Sequence, residues 1–171
     1  KYYIPKKTIF GTLKPSDSEL VKDFLEQDGK IVGYITGTAA FASMGLTTQI
    51  SSSILIGTNK YRRPTIRNGV KVSFLLQENI ITSSNIPLLR ILDALRLIKE
   101  IPATSPDECV TNICKAIEVL SQEEKQELAE LSLAYTPYVR ALLGAIYENM
   151  VLDTQVISST LNGVTSYKLP I

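Results

Sequence analysis

The chain has 171 residues, 44% hydrophobic and 20% charged, with a formal net charge of +1, which is typical of one globular domain with a real core and excludes a wholly disordered chain. Because the sequence contains no histidine, it excludes Ser–His and Cys–His nucleophile pairs and histidine-ligated metal sites. Its apolar runs are far shorter than the ~20 residues needed to cross a bilayer, and its first residues do not have the basic-then-apolar pattern that is expected of a signal peptide.

The first fifteen residues are expected to be a linker or the trailing end of an upstream winged-helix domain, since the chain opens with Lys1 and not with an initiating Met. Residues 16–171 are expected to form a single domain. Its first helix should begin at Ser16, which forms a capping box with Glu19. Gly29 is the expected C′ residue that ends this helix.

A long stretch without acidic residues follows, from Gly29 to Gln77. Its charged residues are all positive: Lys30, Lys60, Arg62, Arg63, Arg67 and Lys71. Residues 1–75 carry a net charge of +6, and residues 76–171 carry a net charge of −5. A cluster of one sign attracts phosphate or an acidic partner, so this asymmetry favours a binding module over an enzyme.

The strands are expected within this acid-free stretch. Residues 31–35 and 53–57 predict short buried strands, separated by a small-residue helix near residues 38–44. Residues 63–76 predict a hairpin, because Asn68-Gly69 supplies the positive φ angles of a type I′ turn.

The second half of the chain is expected to be helical. Residues 87–101 carry leucine and isoleucine nearly all round, which predicts a deeply buried helix. Capping boxes at Ser105 and Ser121 open two more helices, and another is expected over residues 138–150. Residues 161–164 are compatible with a second hairpin. This order of elements predicts an α+β fold, a small mixed β-sheet packed with about six α-helices.

The two cysteines, Cys109 and Cys114, lie five residues apart on one predicted helix. This spacing suits neither a disulfide nor a CxxC metal site, and two cysteines without histidine cannot complete a structural zinc site. We therefore expect a reduced, cytoplasmic protein without a metal, a cofactor or a membrane partner.

The basic cluster has two interpretations that the sequence leaves open. Lysines and arginines protect exposed edge strands against aggregation. Alternatively, the cluster binds nucleic-acid phosphate or another partner, with an aromatic ring able to stack. The candidate contact residues are Lys60, Tyr61, Arg62, Arg63, Arg67 and Lys71.

Strand alternation across the Asn68-Gly69 turn divides this cluster between two faces. Arg63 and Arg67 are expected on the face shared by Val72. Arg62 and Lys71 are expected on the opposite face.

The segment from Tyr34 to Gln49, followed by an Ile-Leu-Ile strand and basic residues 60–63, resembles the AbiEi-type antitoxins of bacterial type IV toxin–antitoxin systems. The distinctive part is Gly45-Leu46-Thr47-Thr48-Gln49, which follows the small-residue helix. Residues 1–6 resemble the segment that leaves the winged helix-turn-helix of that family. Residues 161–169 resemble a recurring tail of the family.

The resemblance implies a non-enzymatic transcriptional regulator. Such antitoxins repress their own operon through an N-terminal winged helix and counter a nucleotidyltransferase-like toxin, AbiEii, through the C-terminal domain. The chain would then be the C-terminal domain, and operator DNA would be contacted mainly by the upstream domain, with the basic hairpin assisting. Type IV antitoxins are described as acting on the target of the toxin, so direct contact with the toxin is left open.

Two alternatives come from the residues alone. A metal-dependent nuclease-like enzyme with a degenerate site would need acids such as Glu78, Asp93 or Asp153 to meet near a lysine on the sheet, and no acid lies on the predicted central strands. A protein-interaction domain would instead dock a basic partner through its acidic helices.

Overall fold

The computed structural model describes the backbone of residues 7–8 and 11–12 and all of residues 16–171. Strand β1 (Lys7–Thr8) pairs antiparallel with β2 (Gly11–Thr12). The predicted linker or trailing domain end, residues 1–15, otherwise lies outside the described residues.

The first predicted helix forms as two short helices. Helix α1 (Asp17–Leu20) begins at the predicted capping box, in which Ser16 Oγ accepts from Glu19 N and the Glu19 carboxylate accepts from Ser16 N. Helix α2 (Lys22–Leu25) follows after a break at Val21.

Gly29 does not end this helix, so that prediction is wrong. Strand β3 (Glu26–Gln27) follows α2 directly and pairs antiparallel with β4 (Lys30–Ile31). Asp28 and Gly29 both take positive φ angles, 51° and 74°, in the turn between these strands. An Asp-Gly pair suits a tight hairpin turn as well as a helix terminus, and here the hairpin forms.

The main sheet is mixed and has the predicted position in the chain. Its four strands are β5 (Gly33–Thr36), β6 (Ser53–Thr58), β7 (Thr65–Arg67) and β8 (Val70–Leu76). Their order is β5-β6-β8-β7, with β6 and β8 parallel and the other pairs antiparallel. The turn between β7 and β8 has the predicted positive φ angles at Asn68 and Gly69. Helix α3 (Thr38–Ser43) connects β5 to β6, as predicted.

Each face of this sheet packs against helices. One face presents Ile54, Ile56 and Val72, which form a core cluster with Val21 and Phe24 of the first helical segment. The opposite face lies towards the helical half of the chain. The sheet is therefore the middle layer of the described fold.

The helical half also follows the prediction, except that one expected helix is divided into an α-helix and a 3₁₀ turn. Its helices are α4 (Ile86–Arg96), α5 (Pro106–Glu118), α6 (Gln122–Ser132), α7 (Pro137–Asn149) and α8 (Gln155–Ser158). The helix expected over residues 87–101 ends at Arg96, and a 3₁₀ turn (Ile98–Glu100) follows. Helix α4 is deeply buried and the capping boxes at Ser105 and Ser121 are present, as predicted.

The α+β fold with a mixed sheet is confirmed, with eight α-helices among the described residues where about six were expected. Residues 161–164 contain no strand, so the second hairpin is wrong. There, the Asn162 side chain accepts from Val164 N and forms a local turn instead. None of the helices in the described ranges has the length and apolarity to traverse a bilayer.

Candidate nucleic-acid interface

The predicted contact residues lie along one edge of the main sheet. Lys60 to Arg63 belong to the connection between β6 and the edge strand β7, Arg67 ends β7, and Lys71 is the second residue of β8. The connection leaves β6 where Thr58 pairs with Leu76, whereas Lys71 lies near the other end of β8. The five-residue step from Lys71 to Leu76 corresponds to roughly 17 Å along the strand, so the cluster extends along the edge and is not focused on one point.

Arg67 is held within the protein. Its terminal nitrogens donate to both carboxylate oxygens of Asp23, with Nη2 at 2.8 Å from Oδ2, and Nη1 also donates to the Leu20 carbonyl at 3.1 Å. The guanidinium stacks on Phe24, 4.0 Å from the ring centroid. The hydrogen-bonded carboxylate raises the pKa of Arg67, and the guanidinium lowers the pKa of Asp23. Arg67 is therefore occupied by an internal partner.

Arg62 lies beside Arg67 and not on the opposite face of the hairpin. Its guanidinium carbon is 5.3 Å from the centroid of Phe24, which packs edge-on against Phe74 with the centroids 4.9 Å apart. The expected separation of Arg62 from Arg67 is therefore wrong, because strand alternation does not extend into the irregular connection before β7. The expected face is confirmed for Arg67, whose ring partner packs with Val72.

The rest of the cluster is open to solvent. Lys60, Arg63 and Lys71 are exposed, and none of them forms an ion pair within residues 16–171. Tyr61 is 81% exposed. Lys71 alternates with the buried Val72, so it lies on the face that the prediction gave it. We call Lys60, Tyr61, Arg63 and Lys71 the basic surface.

The Asp23–Arg67 pair predicts a pH dependence of stability. The pKa of Asp23 is lowered on folding from its ordinary value of 3.8. Its contribution to stability is therefore complete above that value and is lost as the pH falls through the folded pKa. We expect Asp23→Asn to lower the free energy of unfolding at pH 7 by no more than about 1 kcal/mol, because the carboxylate is half exposed.

Urea denaturation of Asp23→Asn and the wild type between pH 7 and pH 2 measures this effect. The difference in the free energy of unfolding between the two proteins should become smaller as the pH falls. Glu148→Gln is the matched control, because Glu148 is exposed and its side chain forms no hydrogen bond or ion pair among the described residues. A difference that stays constant with pH would contradict the role given to Asp23.

A second polar cluster is buried between the sheet and the helices. Asp93 of α4 is fully buried and accepts hydrogen bonds from Tyr34 Oη at 2.7 Å, Thr36 Oγ1 at 2.8 Å and Tyr135 Oη at 2.7 Å. Gln77 Nε2 donates to the hydroxyls of Tyr34 and Tyr135 at 2.9 and 2.8 Å. We call these five residues the Asp93 cluster.

Burial raises the pKa of Asp93, and the three hydroxyl donors oppose that shift. Burial and the Asp93 charge also raise the pKa of both tyrosines, which therefore remain protonated donors. The cluster joins β5, the segment after β8, helix α4 and the connection between α6 and α7, so it ties the sheet to the helices. The signal in the sequence was Asp93, an acid that lies between leucine, isoleucine and alanine residues in the run of residues 87–101.

The acids considered for a metal-dependent nuclease form hydrogen bonds of other kinds or face solvent. Asp93 is hydrogen-bonded to hydroxyl groups, and Glu78 is exposed. Asp153 is exposed too and accepts from Gln155 N in a local turn. No group of three or more His, Cys, Asp or Glu residues in the described ranges is placed to hold a metal ion.

The Gly45–Gln49 segment, which carries the family resemblance, connects α3 to the helical core. Gly45 has a φ of 71°, and Leu46 is fully buried. Thr47 Oγ1 donates to the Pro102 carbonyl at 2.7 Å and accepts from Gln49 N at 3.2 Å. The motif therefore has a structural role in this fold.

Comparisons with known proteins do not assign a family. No family model, no curated protein and no solved structure matches the chain. The resemblance to AbiEi-type antitoxins therefore stays a prediction that depends on the quoted motifs.

Proposed function

We propose that this chain is a non-enzymatic antitoxin and transcriptional-regulator domain of a bacterial type IV toxin–antitoxin system, acting in the cytoplasm. It counteracts a nucleotidyltransferase-like toxin, and its basic surface assists the binding of operator DNA by contacting phosphate. The observation that carries the proposal is the set of exposed, unpaired cations beside Tyr61 in the described sheet edge. The Gly45–Gln49 resemblance supplies the class of system.

The arrangement of the basic surface suits a phosphate backbone. Lys60 and Lys71 lie towards opposite ends of the sheet edge, with Arg63 in the connection between them. A length of roughly 17 Å corresponds to about five phosphates of one DNA strand, which are spaced by about 3.4 Å along the helix axis. Contacts to phosphate position a protein on DNA without reading bases, so this surface adds affinity and not sequence specificity.

The salt dependence of DNA binding tests the surface. We expect the triple variant Lys60→Ala/Arg63→Ala/Lys71→Ala to reduce the slope of log K against log salt concentration by about 2 to 3, since each phosphate contact contributes about 0.9. Fluorescence anisotropy with a labelled duplex over a series of salt concentrations gives the slope.

The matched control carries the same number of substitutions at exposed lysines outside the basic surface, Lys99→Ala/Lys115→Ala/Lys168→Ala. Its slope should equal that of the wild type. Equal slopes for all three proteins would assign the basic surface to solubility and would contradict the proposed contact with phosphate.

The antitoxin function is tested separately in cells. Co-expression of this protein with a nucleotidyltransferase-like toxin encoded beside it should restore growth, whereas the toxin alone should arrest growth. Failure to restore growth while both proteins accumulate would contradict the antitoxin proposal. Rescue by the triple variant would show that phosphate contact is not needed for this part of the function.

A further inference from the structure

A cavity of about 280 Å³ lies beside the other edge strand of the sheet, β5, on the side away from the basic surface. Its walls come from the first helix–hairpin segment, from β5 and from α4. They are mainly apolar: Leu25, Ile31, Gly33, Tyr34, Ile35 and Ile86. Among the described residues, the polar side chains that line it are those of Ser18, Glu26 and Arg90.

Arg90 is a half-buried cation in this wall without an acidic partner. Its Nε donates to the Ile35 carbonyl at 2.9 Å, which orients the guanidinium. No carboxylate of residues 16–171 lies within 4.0 Å of it, and residues 1–15 contain no Asp or Glu. Neither terminal nitrogen has a hydrogen-bond partner in the range 16–171. These nitrogens retain accessible surface, since they are not among the buried unpaired atoms.

The environment of Arg90 favours an anion. Burial lowers its pKa, and the buried Asp93, three residues further along α4, opposes that shift without a direct hydrogen bond. A ligand carboxylate could accept from both terminal nitrogens, which is the geometry that arginine provides best. Such a contact would replace part of the hydration that Arg90 loses by lying in the wall of the cavity.

The size and the charges restrict the ligand further. The cavity is slightly smaller than the ~300–1,000 Å³ of pockets for drug-sized ligands. Glu26, an exposed acid in the wall, disfavours a dianion such as phosphate by like-charge repulsion. The isoleucine side chains favour an apolar ligand body.

We propose that this cavity binds a small monocarboxylate with an apolar body, the carboxylate on Arg90 and the apolar body against Ile31, Ile35 and Ile86. This site is separate from the basic surface and does not depend on the proposed antitoxin function.

Titration of isoleucine-methyl-labelled protein by NMR tests the site, with octanoate, 1-octanol and acetate as probes. Octanoate should shift the methyl signals of Ile31, Ile35 and Ile86. It should bind at least about 10-fold more tightly than 1-octanol, because the charge-assisted hydrogen bonds are lost with the alcohol. Acetate, which lacks the apolar body, should also bind at least about 10-fold more weakly than octanoate.

Variants separate the charge from the apolar wall. Arg90→Met should weaken octanoate binding about 10-fold and change 1-octanol binding by less than about 2-fold. Glu26→Gln should strengthen octanoate binding. Arg96→Met is the matched control, since Arg96 is exposed on the same helix and does not line this cavity.

The comparison of octanoate with 1-octanol uses the wild-type protein. It therefore tests whether the cavity binds a carboxylate even if Arg90→Met fails to fold. Equal affinity for the two probes would overturn the proposal. Octanoate shifts confined to other isoleucines, or no shifts up to its solubility limit, would overturn it as well.

Discussion

Asp93→Ala is expected to lower the free energy of unfolding by about 3–5 kcal/mol. The substitution removes the acceptor of three buried hydroxyl donors, on Tyr34, Thr36 and Tyr135. Because these donors lie away from water, the hydroxyls of Tyr34 and Thr36 would lose their acceptor without gaining water. The Tyr135 hydroxyl would keep only the Leu89 carbonyl, at 3.4 Å. The loss is measured by urea denaturation followed by circular dichroism.

Two other variants sharpen this result. Asp93→Asn should be milder, with a loss of about 1–3 kcal/mol, because its amide oxygen still accepts while its NH₂ group faces a hydroxyl donor. Asp153→Ala, at an exposed acid with only a local turn contact, should stay within about 0.5 kcal/mol of the wild type. A similar loss for Asp93→Ala and Asp153→Ala would contradict the importance of the Asp93 cluster.

The pH dependence of Asp93 should have the opposite sign to that of Asp23. The pKa of Asp93 is raised from its ordinary value of 3.8 by burial. The folded state therefore holds this proton more tightly than the unfolded state, and stability falls as the pH rises from 3.8 through the folded pKa. Asp93→Asn has no carboxyl group to titrate at this position. The difference in the free energy of unfolding between this variant and the wild type should therefore become smaller as the pH rises.

Gly57→Ala is expected to lower the free energy of unfolding by about 3 kcal/mol, at the upper end for overpacking of a core. An added Cβ would lie 2.4 Å from Cε1 and Cζ of Tyr34. The ring cannot turn away freely, because its hydroxyl donates to Asp93 and accepts from Gln77. Thermal and urea denaturation measure the effect.

Gly163→Ala is the matched control, since an added Cβ there meets no atom within 4 Å and its φ is not positive. It should change stability by less than about 0.5 kcal/mol. If the Asp93 cluster holds the ring, Tyr34→Phe should release it, so Gly57→Ala and Tyr34→Phe together should cost less than the sum of the single losses. Additive losses would show that the ring is not held by its hydroxyl.

Features controlled by neighbouring residues were predictable from the sequence. The capping boxes at Ser16, Ser105 and Ser121 and the Asn68-Gly69 turn form where they were expected, because their hydrogen bonds and φ angles depend on residues within one turn of the chain. The burial of α4 followed from its composition. The prediction was wrong where one local pattern is typical of two structures. The Asp28-Gly29 pair occurs both at helix ends and in hairpin turns, and here it forms a hairpin turn.

The candidate site was only partly predictable. The basic residues were identifiable because charge is a property of the sequence itself. Their availability was not, since Asp23 pairs with Arg67 across 44 residues and Arg62 shares the Phe24 ring with Arg67. A stretch that contains no acidic residue can therefore still lie beside an acidic residue from another segment in the folded protein.

The fold class, the main helices and strands, and the positive charge of one segment could be predicted from the sequence, because they arise from local hydrogen bonding, side-chain periodicity and composition. Three features became known only from the folded chain: which cations are open to a ligand, the contact of Asp93 with two tyrosines and a threonine, and the position of Arg90 in a cavity wall without a carboxylate of residues 16–171 within 4.0 Å. These contacts join side chains from distant segments. Their distances are set by how the helices pack on the sheet and not by the spacing of residues along the chain.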